Sequence, residues 1–284
     1  MHTLIAINDG RSVELNAMLR GISQGSTVPD EIVIVNLEDR PNIKDDYGLN
    51  IKMFQLSEQD VEQNSYSCAR NLGAQKATYD NLHFLNAECI PELDYFEKMS
   101  FFLSTCNGLV MGVPRYLYNK VNFEFKVNDL YRVSKHHYKR PRVQGVIRTK
   151  DVNLFWSLCF SVTRSNFEKL GGFDEKYCGY GAEDTDLATT CLEMGMPLYL
   201  SEAITYHQLS GFFEPPVDKI EPILVNCNYY FSKWGKWPMN KQLKAFTQQG
   251  YIDWSPELSE PIVLKSRPAA FSQDQFYIND MPYA

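Results

Sequence analysis

Two carboxylates stand side by side at Glu183-Asp184, closing a run rich in glycine and aromatic side chains: Gly171-Gly172-Phe173-Asp174-Glu175-Lys176-Tyr177-Cys178-Gly179-Tyr180-Gly181-Ala182. A glycine-rich turn ahead of a helix lets backbone come close to a ligand, and the helix start favours the negative charge of the pair. Such carboxylates can bind hydroxyl groups and take the proton from one that attacks. Acidic capping of a helix is a common alternative use, but it leaves the glycines and the aromatic ring upstream without a reason. Three more polar groups, Asn8, Asn36 to Asp39 and Asn86-Ala87-Glu88, each follow a short apolar run. Singly they read as turns. As a set they mark one ligand-binding edge, because parallel strands place their carboxyl ends on the same side of a sheet.

The runs that must position these groups alternate in type. Thr3 to Ile7 is a β-branched apolar strand, Val13, Leu15, Met18, Leu19 and Ile22 fall mostly on one helical face, and Glu31 to Asn36 is apolar enough to be covered on both sides. That is a parallel βαβ unit. The alternation continues with a strand over 51–56, a helix over 67–76 with Ala69, Leu72 and Gly73 inward, and a strand over 82–85. A helix opens at Pro91 and carries Phe96 and Leu103; strands follow at 109–113 and 155–163, then a helix at 184–194 and short strands at 197–200 and 204–206. The pattern predicts an α/β fold, a Rossmann-like, mostly parallel sheet flanked by helices. From Pro215-Pro216 the composition changes, and Ile220, Ile223, Leu224, Cys227 and Phe231 at helical spacing predict a helical C-terminal extension. We therefore expect a domain over 1–214, with halves at about 1–114 and 150–214, and an extension and tail over 215–284 packed on it. Between them, 115–150 is rich in Tyr, Arg, Lys and His without a clear period, which predicts surface loops or a mobile lid.

Composition narrows the function classes. The 284 residues carry 28 Lys+Arg against 35 Asp+Glu, a net charge of −7, with 44% hydrophobic residues. A disordered chain and a general nucleic-acid binder are both excluded by that balance. No stretch approaches the roughly 18 to 20 apolar residues that would span a bilayer. The first residues, Met1 to Asp9, lack a basic n-region and a small-residue cleavage site, so an intracellular, cytoplasmic protein is expected, with at most peripheral membrane association. Seven cysteines are scattered without a C-x-x-C pair, as reduced core thiols are.

The segments Ser67-Cys68-Ala69-Arg70-Asn71-Leu72-Gly73 and Phe84-Leu85-Asn86-Ala87-Glu88 resemble the A-R-N-x-G and F-L-D-x-D stretches of GT-A glycosyltransferases, in particular glycosyltransferase family 2. The block from Gly171 to Asp186 resembles the G-G-F-D-E-x-[FY]-x-G-W-G-x-E-D-x-D element of family 2 enzymes, of β-1,4-galactosyltransferases and of polypeptide N-acetylgalactosaminyltransferases, with Tyr180 in place of the usual Trp. Asn228 to Gly235 is similar to the element ending in Lys-Trp-Gly near the end of many family 2 chains, and is read as structural.

The resemblance implies a GT-A fold and transfer of a sugar from a nucleotide diphosphate sugar, a UDP-sugar, to a hydroxyl of a glycan or glycolipid acceptor, in polysaccharide or glycoconjugate synthesis and with inversion. It implies Asp184 as catalytic base with Glu183 contacting the acceptor, Tyr180 and Gly181 at the acceptor, and Arg70 and Asn86 at the nucleotide sugar; by their place after strands Asn8 and Asn36 are further nucleotide-sugar candidates, and Trp156, before the Gly-Gly turn, lines the acceptor pocket or packs in the core. A divalent cation, Mn²⁺ or Mg²⁺, is implied at Glu88, His207 and Asn86, although Asn86 and Glu88 replace both aspartates of D-x-D. Capping of the Pro91 helix is the alternative for Glu88, and a structural imidazole the alternative for His207. Lys139, Arg140, Arg142 and Arg148 are a candidate diphosphate clamp or lid. Rival readings are a non-catalytic sugar-nucleotide or glycan-binding subunit with a degenerate D-x-D, a retaining glycosyltransferase, and a nucleotidyltransferase. The last would need a glycine-rich basic loop after the first strand, for which Asn8-Asp9-Gly10-Arg11 is short.

Overall fold

In a computed structural model of the chain, residues 1–267 are described apart from 39, 45, 63, 64, 123 and 210, together with the backbone of 276–278. Asp39 and most of the tail beyond 267 lie outside the described residues. The elements are β1 His2–Asn8, α1 Ser12–Ser23, β2 Glu31–Asn36, β3 Ile51–Gln55, α2 Glu58–Glu62, α3 Tyr66–Lys76, β4 Asn81–Asn86, β5 Cys89–Pro91, α4 Tyr95–Thr105 and β6 Leu109–Leu117. They continue as α5 Val127–Leu130, β7 Ser134–His136, β8 Val146–Thr149, β9 Cys159–Thr163, α6 Arg164–Leu170, α7 Glu183–Glu193, β10 Leu198–His207, β11 Gly211–Phe213, α8 Ile220–Trp234, α9 Asn240–Gln248 and β12 Phe276–Ile278.

The main sheet has the order β3-β2-β1-β4-β9-β6-β10-β5, with β7 added to β6 and β8 to β10. Four of its pairings are parallel: β1 with β2 and β4, β2 with β3, and β6 with β10. β9 runs antiparallel between β4 and β6. Both faces are covered, so the strands are apolar throughout, and Leu4, Ile32, Ile34, Leu82, Phe84, Met111 and Phe160 share one core with Leu15, Met18 and Leu19 of α1 and Phe96 and Met99 of α4. Gly73 lets α3 lie close on the sheet, since a side chain there would strike Ile5.

The sequence misplaces several boundaries, each for a local reason. Pro91 does not open a helix: it pairs with Thr205 in β5, an edge strand where its missing N–H is tolerated, and α4 begins at Tyr95. The strand expected from Phe155 begins at Cys159, because Leu158 N–H bonds back to the Trp156 carbonyl in a turn. The two short strands at 197–206 are one, β10, with an irregularity between Leu200 and Ile204. Val13, placed on the inner face of α1 by spacing, is 76% exposed.

The segment 115–150 is also more built than its composition suggests. β6 extends to Leu117, β7 pairs back on it, and Phe125, Val127 and Leu130 pack against Ala17, Ile90 and Tyr206. Arg140 is buried, donating to the carbonyls of Leu154 and Gly112 with its guanidinium over the Trp156 ring, whereas Arg148 lies on β8 and is exposed. The four cations expected to form one clamp therefore do not act as a unit.

Beyond Pro216 a second apolar cluster gathers Ile220, Ile223, Leu224 and Cys227 of α8 with Trp237, Leu243, Phe246, Ile252 and Ile262. The segment is helical only in part, since 251–267 is irregular and β12 pairs with β11.

Candidate active site

The first loop of the sheet supplies the centre of the site. β1 ends at Asn8, and Gly10, at φ +87°, turns the chain so that Asp9 and Arg11 follow on the carboxyl edge. Arg11 Nη1 lies 2.9 Å from Glu88 Oε1, and its Nε lies 3.4 Å from Asp9 Oδ2. Tyr66, at the start of α3, donates its hydroxyl to Asp9 at 2.6 Å. On the other side His207, the last residue of β10, brings Nε2 to 3.6 Å from Glu88 Oε1. Asn86 Nδ2 is 3.5 Å from the same oxygen.

These groups shift one another. Burial pushes the Glu88 carboxyl up, but Arg11, with His207 behind it, outweighs burial and holds it well below the usual carboxylate range. The Glu88 charge raises Arg11 in return. Burial, then Asp9, raises the Tyr66 hydroxyl, which therefore stays a donor. Lys219 approaches from the turn before α8, its ammonium 4.5 Å from the Tyr180 ring centroid; burial lowers it, opposed by Asp218.

The second half of the site is the start of α7. Arg70, buried on α3, lies with its guanidinium over the rings of Phe173 and Tyr66 and pairs Nη1 with Glu183 Oε1 at 3.3 Å. Contacts thus run unbroken from Glu183 through Arg70, Tyr66, Asp9 and Arg11 to Glu88 and His207. Asp184, beside Glu183, has no cation paired with it among the described residues. Its Oδ1 accepts from Thr185 N–H at 2.6 Å, yet burial first and the Glu183 charge second push its carboxyl up to about 7. That value suits a group that must take a proton near neutrality.

Two devices from α8 fix this loop. Asn226, fully buried, donates Nδ2 to the carbonyls of Cys178 and Gly181 at 2.9 Å, and accepts from Cys178 N–H at 3.3 Å. Asp186, buried one turn inside α7, accepts from Lys233 at 2.8 Å, Trp234 Nε1 at 2.6 Å and Tyr177 OH at 3.1 Å, while Lys233 also holds Asp174. The last aspartate of the block is thus structural, and so is the Lys233-Trp234-Gly235 element it grips. Ala182 completes the turn at φ +69°, an unusual conformation for a residue with a side chain.

Other expected residues fall as follows. Asn8 Nδ2 donates to Asn36 Oδ1 at 3.1 Å, both fully buried at the ends of β1 and β2, and Asn36 Nδ2 has no hydrogen-bond partner among the described residues. Trp156 donates its indole N–H to the Asn153 carbonyl, lies under the Arg140 guanidinium and meets His137 edge-to-face. Tyr180 packs on the C-terminal cluster, and Gly181, at φ +107°, faces Met239 and Ile223. Glu88 does not cap a helix. Asp9, Arg11, Tyr66, Lys219 and Asn226 were missed as site residues, and only Asp9 and Arg11 had a signal, their place directly after a buried strand.

The donor set fits a divalent cation in one respect. His207 Nδ1 lies 2.8 Å from the Gln208 carbonyl, which can only accept, so Nδ1 carries a proton, and Nε2, facing Glu88 Oε1, is the nitrogen that would give up its proton to bind a cation. Two electron-pair donors then converge. Among the described residues no three His, Cys, Asp or Glu side chains cluster for a metal, so the protein would supply few ligands and a bound diphosphate the rest, the habit of Mg²⁺-like ions.

The mixed sheet flanked by helices, with Glu88 at one edge and the Glu183-Asp184 pair at a helix start, agrees with the GT-A fold that the sequence resemblance implies. The sequence profile of the Glycosyltransferase like family 2 matches residues 37–217, and the chain belongs to that family. It is 29% identical over 84 residues to a validoxylamine A glucosyltransferase of Streptomyces hygroscopicus subsp. jinggangensis (strain 5008), a match covering 28% of this chain and 18% of the relative. Among solved structures it resembles GalNAc-T7 with UDP, GalNAc and Mn²⁺, at 14% identity and a TM-score of 0.56 over 73% of this chain and 43% of that one. It also resembles S. aureus TarS 1–349 in complex with UDP, at 12% identity and a TM-score of 0.54 over 80% of this chain and 64% of that one. Among the described residues no helix is long and apolar enough to cross a membrane.

Proposed function

We propose that the chain transfers a sugar from a UDP-sugar to a hydroxyl of a glycan or glycolipid, with inversion, in cytoplasmic polysaccharide or glycoconjugate synthesis. The reading rests above all on Asp184, a carboxylate raised toward neutrality beside an acid that Arg70 already neutralises. Glu183 binds an acceptor hydroxyl, and Asp184 takes the proton from the attacking oxygen as its bond to the anomeric carbon forms. Asn8 and Asn36 offer amides to the nucleotide, and Glu88 and His207, with Asn86, are the residues that would hold Mn²⁺ or Mg²⁺. When bound, such a cation neutralises charge on the leaving diphosphate.

Asp184→Asn keeps the shape and removes the base. It should lower kcat by roughly 10²-fold or more while UDP affinity stays near wild type. Near-normal turnover would remove Asp184 from the mechanism, and NMR of the product's anomeric configuration separates inversion from retention. Arg11 favours a second reading for the diphosphate, since its guanidinium already rests on Glu88, where the cation is expected. If so, isothermal titration should show UDP binding that survives EDTA and fails in Arg11→Ala.

A further inference from the structure

Charge is distributed very unevenly along this chain. Residues 115–150 hold ten of the 28 Lys+Arg and only two of the 35 Asp+Glu, so a segment of charge +8 sits in a protein of charge −7; its 118–139 part holds five of these cations and both acids, Glu124 and Asp129, a net +3. Some of that charge is internal: Arg115 and Arg140 are buried among carbonyls, and Arg115 also stacks on Tyr131. The rest is on the surface, where Lys120, Lys126, Arg132 and Lys139 are exposed and make no ion pair among the described residues.

The backbone explains why these cations share an excursion. β6 runs on to Leu117, β7 returns along it, and Tyr118 N–H bonds to the Val133 carbonyl, closing a loop that contains α5. The inner side of this loop is fixed by Phe125, Val127 and Leu130 and by Gln24, whose amide bonds the backbone of Phe125 and Val127. The outer side leaves apolar area in water: Tyr118 is 40% exposed, Val133 43%, Tyr131 49% and Tyr138 65%. Lys135 lies over the Tyr118 ring and Lys139 over that of Tyr138.

Exposed tyrosines interleaved with lysines and arginines are what an anionic headgroup layer would select. Each cation near such a surface adds to the attraction, and tyrosine rings sit with the apolar body inward and the hydroxyl wet. We infer that the 118–139 excursion docks the protein on a membrane surface of anionic phospholipid. Tyr116, at the root of the excursion, pairs in register with His207, and their rings are 5.1 Å apart. Docking there brings the Glu88–His207 edge, the donor side of the proposed site, toward the membrane surface. The inference deepens the proposed function in that one respect, and the docking itself needs neither donor nor chemistry.

Co-sedimentation with vesicles tests it on the full chain. Wild type and Asp184→Asn should both bind vesicles of phosphatidylglycerol mixed with phosphatidylcholine, and neither should bind pure phosphatidylcholine. Reversing charge at two exposed positions, in Lys120→Glu/Arg132→Glu, should weaken binding on the order of tenfold or more. Tyr131→Ser/Tyr138→Ser should weaken it at unchanged charge, with circular dichroism confirming the fold in both. Equal binding to neutral vesicles, binding untouched by either pair, or capture by soluble polyphosphate or DNA without vesicle binding would each overturn the assignment. Because Asp184→Asn is present throughout, loss of sugar transfer and loss of docking are read separately.

Discussion

Glu88 and Asp184 are carboxylates joined by one chain of contacts, and their surroundings drive them apart. Glu88, 6% exposed, has Arg11 at 2.9 Å and His207 at 3.6 Å, and these hold it ionised against burial. Asp184, less deeply placed, has another acid as its neighbour, and the one cation shown to act on it, Arg70, is spent on Glu183. Depth alone would predict the reverse order. The pairing of each acid decides, and it divides the work: a carboxylate that stays charged can hold cations, while one poised near neutrality can exchange a proton.

The largest effect that would sharpen this division comes from Glu88→Gln. If Glu88 serves the donor, the variant should bind UDP in the presence of Mn²⁺ about 10- to 100-fold more weakly by isothermal titration, with a smaller change in kcat at saturating donor. A collapse of kcat at unchanged UDP affinity would erase the difference between the two acids. Next in size is the pH profile of the wild-type enzyme. With a base raised to about 7, kcat should fall about tenfold per unit as pH drops below that value, and the residual activity of Asp184→Asn should be flat across the same range. A limb placed near 4 would mean that Asp184 is an ordinary aspartate.

Much of this site was legible as sequence, for reasons that the two acids illustrate. Asn86-Ala87-Glu88 ends a strand and Glu183-Asp184 opens a helix whose apolar period is strong, and a strand end or helix start fixes where such residues emerge. Period also located the strands that carry Asn8 and Asn36. It failed where long-range contacts set the structure: Pro91 sits in a strand because β10 is beside it, and Arg140 is buried because Trp156 and two carbonyls receive it. The partners that tune the acids were harder still. Nothing local in Asp9-Gly10-Arg11 says that the guanidinium will reach a carboxylate 77 positions later, and Asn226 reads as one more polar residue on a helix until its amide is seen stapling Cys178 and Gly181.

The smallest expected effect separates the two acids through stability. In the unfolded chain an aspartate titrates near 4, whereas Asp184 in the fold titrates at about 7. Between those values the native state binds more protons than the unfolded one, so this group withdraws stability as pH rises through the window. The amide introduced by Asp184→Asn carries no such proton. The full difference corresponds to about 4 kcal/mol, and partial access of water to the carboxylate reduces it to about 2 kcal/mol. Asp184→Asn should therefore unfold at a higher temperature than wild type near pH 8, with the gain fading toward pH 4. Glu88 has the opposite sign: its folded value is depressed, so its contribution is present above the ordinary carboxyl range and is lost as pH falls through the folded value. Glu88→Gln should accordingly be less stable than wild type at neutral pH and approach it in acid. Thermal unfolding of both variants and wild type from pH 8 down into the acid range below 4.5, where Glu88 takes its proton, gives two difference curves, and curves that change over the same pH interval with the same sign would mean that the two environments do not differ as described.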